Sequence, residues 1–216
     1  NQAVKNLPWP KNPKSIFTSN AYSGDDLFKA WAAKKTENNT PLIIGQHGGH
    51  YGMNTFSFSD EHQVKIADKW LSWGWRSENR KNIIPIGNLI AFGRVVDYSP
   101  KGGALMVEMA LPRYSYYMYA LPVAGQYLDY FNDQEVFLSS LPIELRQQVL
   151  LRLYHGDYGW NQADRWQDSM PEVNIDLGRK DIKQLLKKCR LYIATYNATT
   201  YLEALTWNVP TIMFWN

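Results

Sequence analysis

The sequence predicts an α/β protein with mostly parallel sheets, arranged as two lobes. Short apolar runs of strand length alternate with amphipathic helical segments along the 216 residues. Polar or glycine-rich turns follow several of these runs, as expected where parallel strands pass into ligand-binding loops. A change of composition at YSPKGG, residues 98–103, marks the predicted crossing between the lobes.

The first lobe, residues 1–97, is predicted to begin with an irregular, proline-rich segment. Its strands are expected at SIFTS (15–19), LIIG (42–45) and KWLSWGW (69–75), and NIIPIG (82–87) is interpreted as a linker-like strand end. Its helices are expected at 24–35 and 61–68. In the first helix Leu27, Phe28, Trp31 and Ala32 share one face at helical spacing.

The second lobe, residues 98–216, continues the same alternation. Its predicted strands are 104–111, 173–177, 191–195 and 211–215. Its predicted helices are 142–150, 181–189 and 199–207, and the first of these has a favourable proline start and runs into an apolar segment at 151–155. Together the two series indicate parallel sheets with helices on both faces.

Composition argues against several classes of protein. The net charge is +3, from 23 basic and 20 acidic residues without a long basic run, which disfavours nucleic-acid binding. No segment approaches the ~20 apolar residues of a membrane-spanning helix. The single cysteine, Cys189, excludes an internal disulfide and favours a reducing compartment. We therefore expect a cytoplasmic protein, with a peripheral contact with the inner membrane left open.

The chain has no initiator methionine and stops directly after an apolar strand. These two features predict that it is a fragment of a longer protein.

The stretch 191–215 predicts a sugar-nucleotide pocket. Asn197, Thr199 and Thr200 lie in a turn between an apolar strand and a short helix, and Glu203 follows one turn into the helix. Backbone N–H groups at such a helix start can bind a phosphate. A carboxylate one turn later can reach a ribose hydroxyl. The alternative is an ordinary polar turn before an ordinary helix.

The glycine-rich loop GQHGGHYG, residues 45–52, is the strongest candidate for chemistry. Gly48 and Gly49 would let the backbone approach a ligand closely. His47 and His50 offer proton donors or acceptors near neutral pH. A tight turn whose histidines cap backbone groups is the alternative interpretation.

Two further sets of charged residues follow predicted strands. In SGDD, one of Asp25 and Asp26 should cap a helix, and the other could act as base or nucleophile. Arg113 and Arg152 could each hold a phosphate through two parallel hydrogen bonds. Glu61 and His62 lack a third ligand at a recognisable spacing, so no metal site is predicted.

The segment NATTYLEALTWNVP, residues 197–210, resembles the donor-binding region of glycosyltransferases with two facing Rossmann-like lobes, the GT-B fold. The wider pattern of FTSNAYSGDDLFKAWAAK, LIIGQHGGHYG, WLSWGW and RLYHGDYGW is similar to a family of transferases for bacterial O-antigen and other surface polysaccharides. That family is related in style to retaining Kdo transferases, which use a CMP-activated donor. GT-B members usually have Gly in the turn and before the proline, where this chain has Asn197 or Ala198 and Asn208.

The resemblance implies that residues 1–97 end an acceptor lobe and that residues 98–216 form most of a donor lobe. It implies a nucleotide sugar as donor, a glycan or glycolipid as acceptor, and neither a cofactor nor a metal. The implied donor-binding residues are Gly48, Gly49, Arg113, Arg152, Asn197, Thr199, Thr200 and Glu203. The implied catalytic residues are Asp25, Asp26, His47 and His50.

Two other functions stay open at this point. A sugar-nucleotide epimerase or hydrolase of the same fold would act on the donor alone. A carbohydrate-binding module would use its tryptophans as stacking surfaces, but the alternation of strands and helices disfavours it. The donor sugar, the base, the acceptor, the linkage, the stereochemical outcome, the oligomeric state and the activity of a fragment are left open as well.

Overall fold

The computed structural model describes residue 4 and residues 6–52, 58–89, 91–93, 95–114 and 124–215. The chain folds as two compact units, Asn1–Phe92 and Gly93–Asn216. The assignment of residues 1–97 and 98–216 to an acceptor and a donor lobe stays a prediction.

The first unit contains a four-stranded parallel sheet. Its elements are β1 (Ile16–Thr18), α1 (Ala21–Gly24), α2 (Asp26–Thr36), β2 (Leu42–Gly45), α3 (Phe58–Ile66), β3 (Lys69–Ser72) and β4 (Ile83–Pro85). The strands lie in chain order, β1-β2-β3-β4, and every pair is parallel. Because right-handed crossovers between strands in this order place the connections on one side, α2 and α3 cover the same face.

The core of the first unit lies between that face and the two helices. Trp31 of α2 and Val64 of α3 pack with Ile44 and Trp70 of the sheet. On the strands, Phe17 alternates with buried neighbours and is 53% exposed. Within the described part of the first unit, the expectation of helices on both faces is therefore not met.

The second unit contains a five-stranded parallel sheet. Its elements are β5 (Gly103–Val107), α4 (Tyr127–Ser139), α5 (Ile143–Arg146), β6 (Val149–Arg152), α6 (Gln162–Ser169), β7 (Asn174–Asp176), α7 (Ile182–Leu186), β8 (Cys189–Ala194), α8 (Thr200–Thr206) and β9 (Thr211–Met213). The strand order is β7-β6-β5-β8-β9, and all pairs are parallel. This is the Rossmann-like arrangement, with the first strand in the middle of the sheet. The predicted α/β class with parallel sheets is confirmed.

The start of the central strand β5 requires glycine at positions 102 and 103. A Cβ atom on Gly102 would lie 2.2 Å from the carbonyl oxygen of Lys188, and one on Gly103 would lie 2.1 Å from that of Gln148. The backbones on both sides therefore leave no room for a side chain. Leu105 and Met106 are fully buried, as expected for a strand covered on both faces.

Two element predictions in the second unit are wrong. The helix predicted at 142–150 ends at Arg146, and β6 begins at Val149. The helix predicted at 181–189 ends at Leu186, and Cys189 begins β8. In both cases the apolar residues at the end of the predicted helix instead begin a strand that pairs in parallel with β5.

Candidate functional site

The glycine-rich loop of the first unit follows β2 and is fixed by the Gln46 side chain. The Gln46 amide nitrogen donates to the Gly48 carbonyl at 2.7 Å. Its amide oxygen accepts from the Trp73 backbone N–H at 2.9 Å and from the Trp75 indole at 3.0 Å. Gly48 and Gly49 are buried. These hydrogen bonds fix the conformation of the loop and connect the segments that follow β2 and β3.

A second anchor holds the far end of this loop. The amide of Gln63 donates to the Tyr51 hydroxyl at 3.0 Å, and the Trp70 indole donates to the Gln63 oxygen at 3.2 Å. Tyr51 and Gln63 are buried. Burial raises the pKa of Tyr51, so its hydroxyl stays protonated near neutral pH.

His50 lies beside a carboxylate that the sequence did not single out. Its Nε2 is 3.9 Å from Oδ1 of Asp60, and the Gly52 N–H donates to the other Asp60 oxygen at 3.3 Å. The His50 ring stacks on Tyr51 with centroids 4.5 Å apart. The Asp60 side chain is 16% exposed and that of His50 is 43% exposed. The imidazole thus lies between the Tyr51 ring and a carboxylate that is beyond hydrogen-bond distance but close enough to interact electrostatically.

His47 is exposed and lines a cavity of about 230 Å³. The cavity lies at the carboxyl ends of the strands of the first unit, and its other lining residues include Ser19, Phe17, Leu71, Trp73 and Leu89. His47 and His50 thus belong to one loop but differ in surroundings. One faces a largely apolar cavity, and the other faces a carboxylate.

Asp25 and Asp26 are both exposed and both have local partners. Asp25 caps α2, since its carboxylate accepts from the Phe28 N–H at 2.9 Å. Asp26 pairs with Lys29 at 2.6 Å, and the hydrogen bond and positive charge of Lys29 lower its pKa. Neither aspartate lines the cavity beside His47. Their catalytic roles stay predictions.

In the second unit, the switch in strand order lies between β5 and β8. The chain passes from β5 to β6 on one side and later reaches β8 on the other side. In open α/β sheets, ligands bind outside the carboxyl ends of the strands at this point. The residues that follow these two strands here are 108–113 and 195–199.

A hydroxyl pair joins the ends of β5 and β8. Thr195 donates to the Val107 carbonyl at 2.7 Å and lies 2.6 Å from the Tyr130 hydroxyl. That hydroxyl also accepts from the Met109 N–H at 3.1 Å. Burial raises the pKa of Tyr130 well above its ordinary value, so the pair is neutral.

The predicted donor residues lie together after β8. The Asn197 side-chain oxygen accepts from the Tyr201 hydroxyl at 3.3 Å. The Thr200 hydroxyl lies near the phenol groups of Tyr192 and Tyr196. Burial raises the pKa of both phenols above its ordinary value, although the Thr200 hydroxyl lowers it. Thr199 precedes α8 without a side-chain cap bond, and Glu203 lies in the first turn of that seven-residue helix. The polar turn and the carboxylate expected from the sequence are thus neighbours, and their role in donor binding stays a prediction.

The two predicted phosphate-binding arginines differ in their partners. Arg152, at the end of β6, pairs with the Asp176 carboxylate at 3.2 Å and donates to the Lys180 carbonyl at 2.6 Å. Arg113 is exposed, lies 5.6 Å from the Trp160 ring centre, and forms no ion pair with any residue that the structure describes. Arg113 is therefore the more available cation.

Glu108 is a buried carboxyl group at the end of the central strand that the sequence did not single out. It is 1% exposed, and its two oxygens accept from the Trp166 indole at 2.8 Å and from the Gln162 amide at 3.1 Å. The pKa of Glu108 is raised to about 8, because the effect of burial is larger than the opposing effect of these two hydrogen-bond donors. One acidic residue within the apolar run ALMVEMAL was the sequence feature that could have pointed to it.

Across the described ranges, no group of three or more His, Cys, Asp or Glu side chains is arranged to hold a metal ion. In the same part of the chain, no helix combines the length and apolarity needed to cross a bilayer.

These features define an α/β protein in which each unit places polar side chains at the carboxyl edge of a parallel sheet. The model of the LIC12162 family transferase matches residues 1–216, and the chain belongs to this family. The protein is therefore a transferase, which confirms the coarser part of the resemblance. No curated protein matches the chain.

Proposed function

We propose that the protein is a glycosyltransferase that moves a sugar from a nucleotide-activated donor to a bacterial surface polysaccharide or lipopolysaccharide acceptor. The observation behind this proposal is the polar turn 197–200 at the switch point of the second sheet. A CMP-activated, Kdo-like sugar is the first donor to consider. The reaction uses no cofactor and no metal, and it takes place in the cytoplasm or at the inner membrane.

On the donor side, the hydroxyl-rich turn and Glu203 supply the contacts that a phosphate and a ribose need. The hydroxyls of Thr199 and Thr200 donate to phosphate oxygens, and Glu203 accepts from the ribose. Arg113 neutralises the phosphate charge, because it is exposed and has no carboxylate partner among the described residues. Arg152 is held by Asp176 and positions the end of β6.

On the acceptor side, His50 is the best candidate for the general base. It takes the proton of the acceptor hydroxyl, the oxygen attacks the anomeric carbon, and the bond from that carbon to the phosphate oxygen breaks. The Asp60 carboxylate stabilises the imidazolium that forms. If the reaction retains configuration, a carboxylate nucleophile is needed as well, and Asp25 and Asp26 are the candidates.

Nucleotide binding tests this proposal. Isothermal titration calorimetry with CMP, UDP and GDP is carried out on the wild type, on Glu203→Ala and on Glu144→Ala. Glu144 is an exposed carboxylate of the second unit that lies in α5, so it serves as the matched control.

We expect one nucleotide to bind and Glu203→Ala to weaken it about tenfold or more, since a hydrogen bond to a charged group contributes about 1.5–3 kcal/mol. Glu144→Ala should bind as the wild type does. The proposal fails if none of the three nucleotides binds to folded protein, or if Glu203→Ala binds as tightly as the wild type.

A further inference from the structure

Two tyrosines present their rings to solvent in the loop after β6, residues 154–160, which we call the aromatic loop. Tyr154 is 39% exposed and Tyr158 is 44% exposed. Their ring planes lie within 18° of each other with centroids 5.9 Å apart. His155 packs against Tyr154 at 4.2 Å. The two tyrosine rings are therefore stacked on each other with an offset, and together they form a small, partly exposed aromatic surface.

The backbone holds these rings outward at a cost. Tyr158 has a φ of 54°, in the left-handed region that aromatic residues rarely adopt. The Asp157 carboxylate fixes this conformation by accepting from the N–H groups of Gly159, Asn161 and Gln162 at 3.1, 2.9 and 2.8 Å. Such strain persists only where the surroundings impose it, and it is concentrated at functional sites.

The core gains little from this arrangement, because the neighbouring Trp160 already fills it. Trp160 is buried, stacks on Tyr127 at 4.1 Å, and donates to the Leu111 carbonyl at 2.7 Å. The strained residue itself turns away from that packing.

The aromatic surface and the polar turn after β8 lie at the same edge of the second sheet, on either side of the central strand β5. Both groups follow the carboxyl ends of parallel strands in the same sheet. A ligand whose phosphate and ribose lie at the turn would thus have exposed aromatic rings at the same edge of the sheet for its remaining part.

We propose that Tyr154 and Tyr158 form the stacking surface for the base of the donor nucleotide. The inference rests on the proposed function, because it extends the same site. Aromatic rings stack on any base through its π-face, and one such stack typically contributes about 1–3 kcal/mol. The tyrosine pair supplies affinity, and base selection is left to groups at the edge, of which His155 is the nearest.

The test compares two substitutions at one position. Tyr158→Asn removes the ring but suits the left-handed backbone, since Asn tolerates it better than most residues. Tyr158→Phe keeps the ring and removes the hydroxyl. Both variants and the wild type are titrated by calorimetry with CMP, UDP, GDP and ribose 5-phosphate, and circular dichroism verifies their folding.

We expect Tyr158→Asn to bind the preferred nucleotide about tenfold more weakly, while Tyr158→Phe stays close to the wild type and ribose 5-phosphate does not distinguish the variants. Equal weakening for ribose 5-phosphate, or unchanged nucleotide affinity in Tyr158→Asn, overturns the inference and leaves the proposed function standing. If no nucleotide binds to the wild type, the proposed function fails and the inference falls with it.

A second measurement does not depend on the variants. With tyrosine ring protons selectively labelled in the wild type, the bound nucleotide should give nuclear Overhauser effects between its base protons and the rings of Tyr154 and Tyr158. Effects to other rings alone would overturn the inference. A methyl glycoside that gives the same effects in place of a nucleotide would also overturn it, because the surface would then bind a sugar ring.

Discussion

Replacement of Glu108 by glutamine should remove the pH dependence that this carboxyl group gives to the stability. Burial raises the pKa of this carboxyl group from 4.5 to about 8. Between these values the folded protein holds a proton that the unfolded chain has released. Stability is therefore highest below about pH 4.5 and falls as the pH rises towards 8.

The size of the effect follows from that interval. From 4.5 to about 8, at 1.36 kcal/mol per pH unit, the free energy of unfolding should fall by at most about 5 kcal/mol through this group. Glu108→Gln is neutral at every pH and keeps the acceptor for the Trp166 indole. Its amide group faces the Gln162 amide, which loses one hydrogen bond and costs about 1 kcal/mol at all pH values.

The two curves should therefore cross. Urea denaturation from pH 4 to pH 9, followed by tryptophan fluorescence, should show the wild type up to about 1 kcal/mol more stable at pH 4 and the variant more stable by a few kcal/mol at pH 9. Glu144→Gln, at an exposed carboxylate, should parallel the wild type throughout. A constant difference between wild type and Glu108→Gln across the range would refute a buried, protonated Glu108.

Three further predictions concern the site and its support. His50→Gln should lower kcat about 100-fold or more, and Asp60→Asn should lower it less. Glu61→Gln, one residue further along α3, is the control and should keep the wild-type kcat. Equal kcat values in all three variants would exclude His50 as the general base. Thr195→Val should lower the free energy of unfolding, measured by urea denaturation, by about 1–3 kcal/mol, because the Tyr130 hydroxyl and the Val107 carbonyl lose a buried partner. An unchanged free energy of unfolding would contradict the hydroxyl pair. Gly178→Ala should lower the Tm of the protein far more than Gly159→Ala does. Both glycines have a positive φ, but only at Gly178 would the new Cβ lie 2.6 Å from backbone atoms. Equal shifts of Tm in the two variants would contradict that packing.

The sequence was a good guide where local pattern and tertiary structure agree. The series β8, α8 and β9 was predicted because an apolar run, a polar turn and a proline punctuate it clearly. It was a poor guide to α4, which no pattern had indicated. In that helix the buried positions include Gln134 beside Tyr127, Phe131 and Leu138, so a polar residue interrupts the apolar stripe.

The candidate site shows the same division. The position of the loop 45–52 at the end of a strand could be predicted, because parallel strands pass into loops at one edge of a sheet. The partnership of His50 with Asp60 could not be predicted, since it depends on how α3 packs beside that loop. The ion pair of Arg152 with Asp176 depends likewise on the pairing of β6 with β7.

The central claim is that a nucleotide binds at the carboxyl edge of the second sheet. The most direct test is a ¹⁵N–¹H correlation spectrum of the protein titrated with CMP, UDP and GDP. The account predicts that one nucleotide shifts the amide resonances of Asn197, Thr199, Thr200 and Glu203 most strongly. Shifts confined to the opposite edge, at Gly103 and Cys189, or no shifts with any of the three nucleotides, would contradict it.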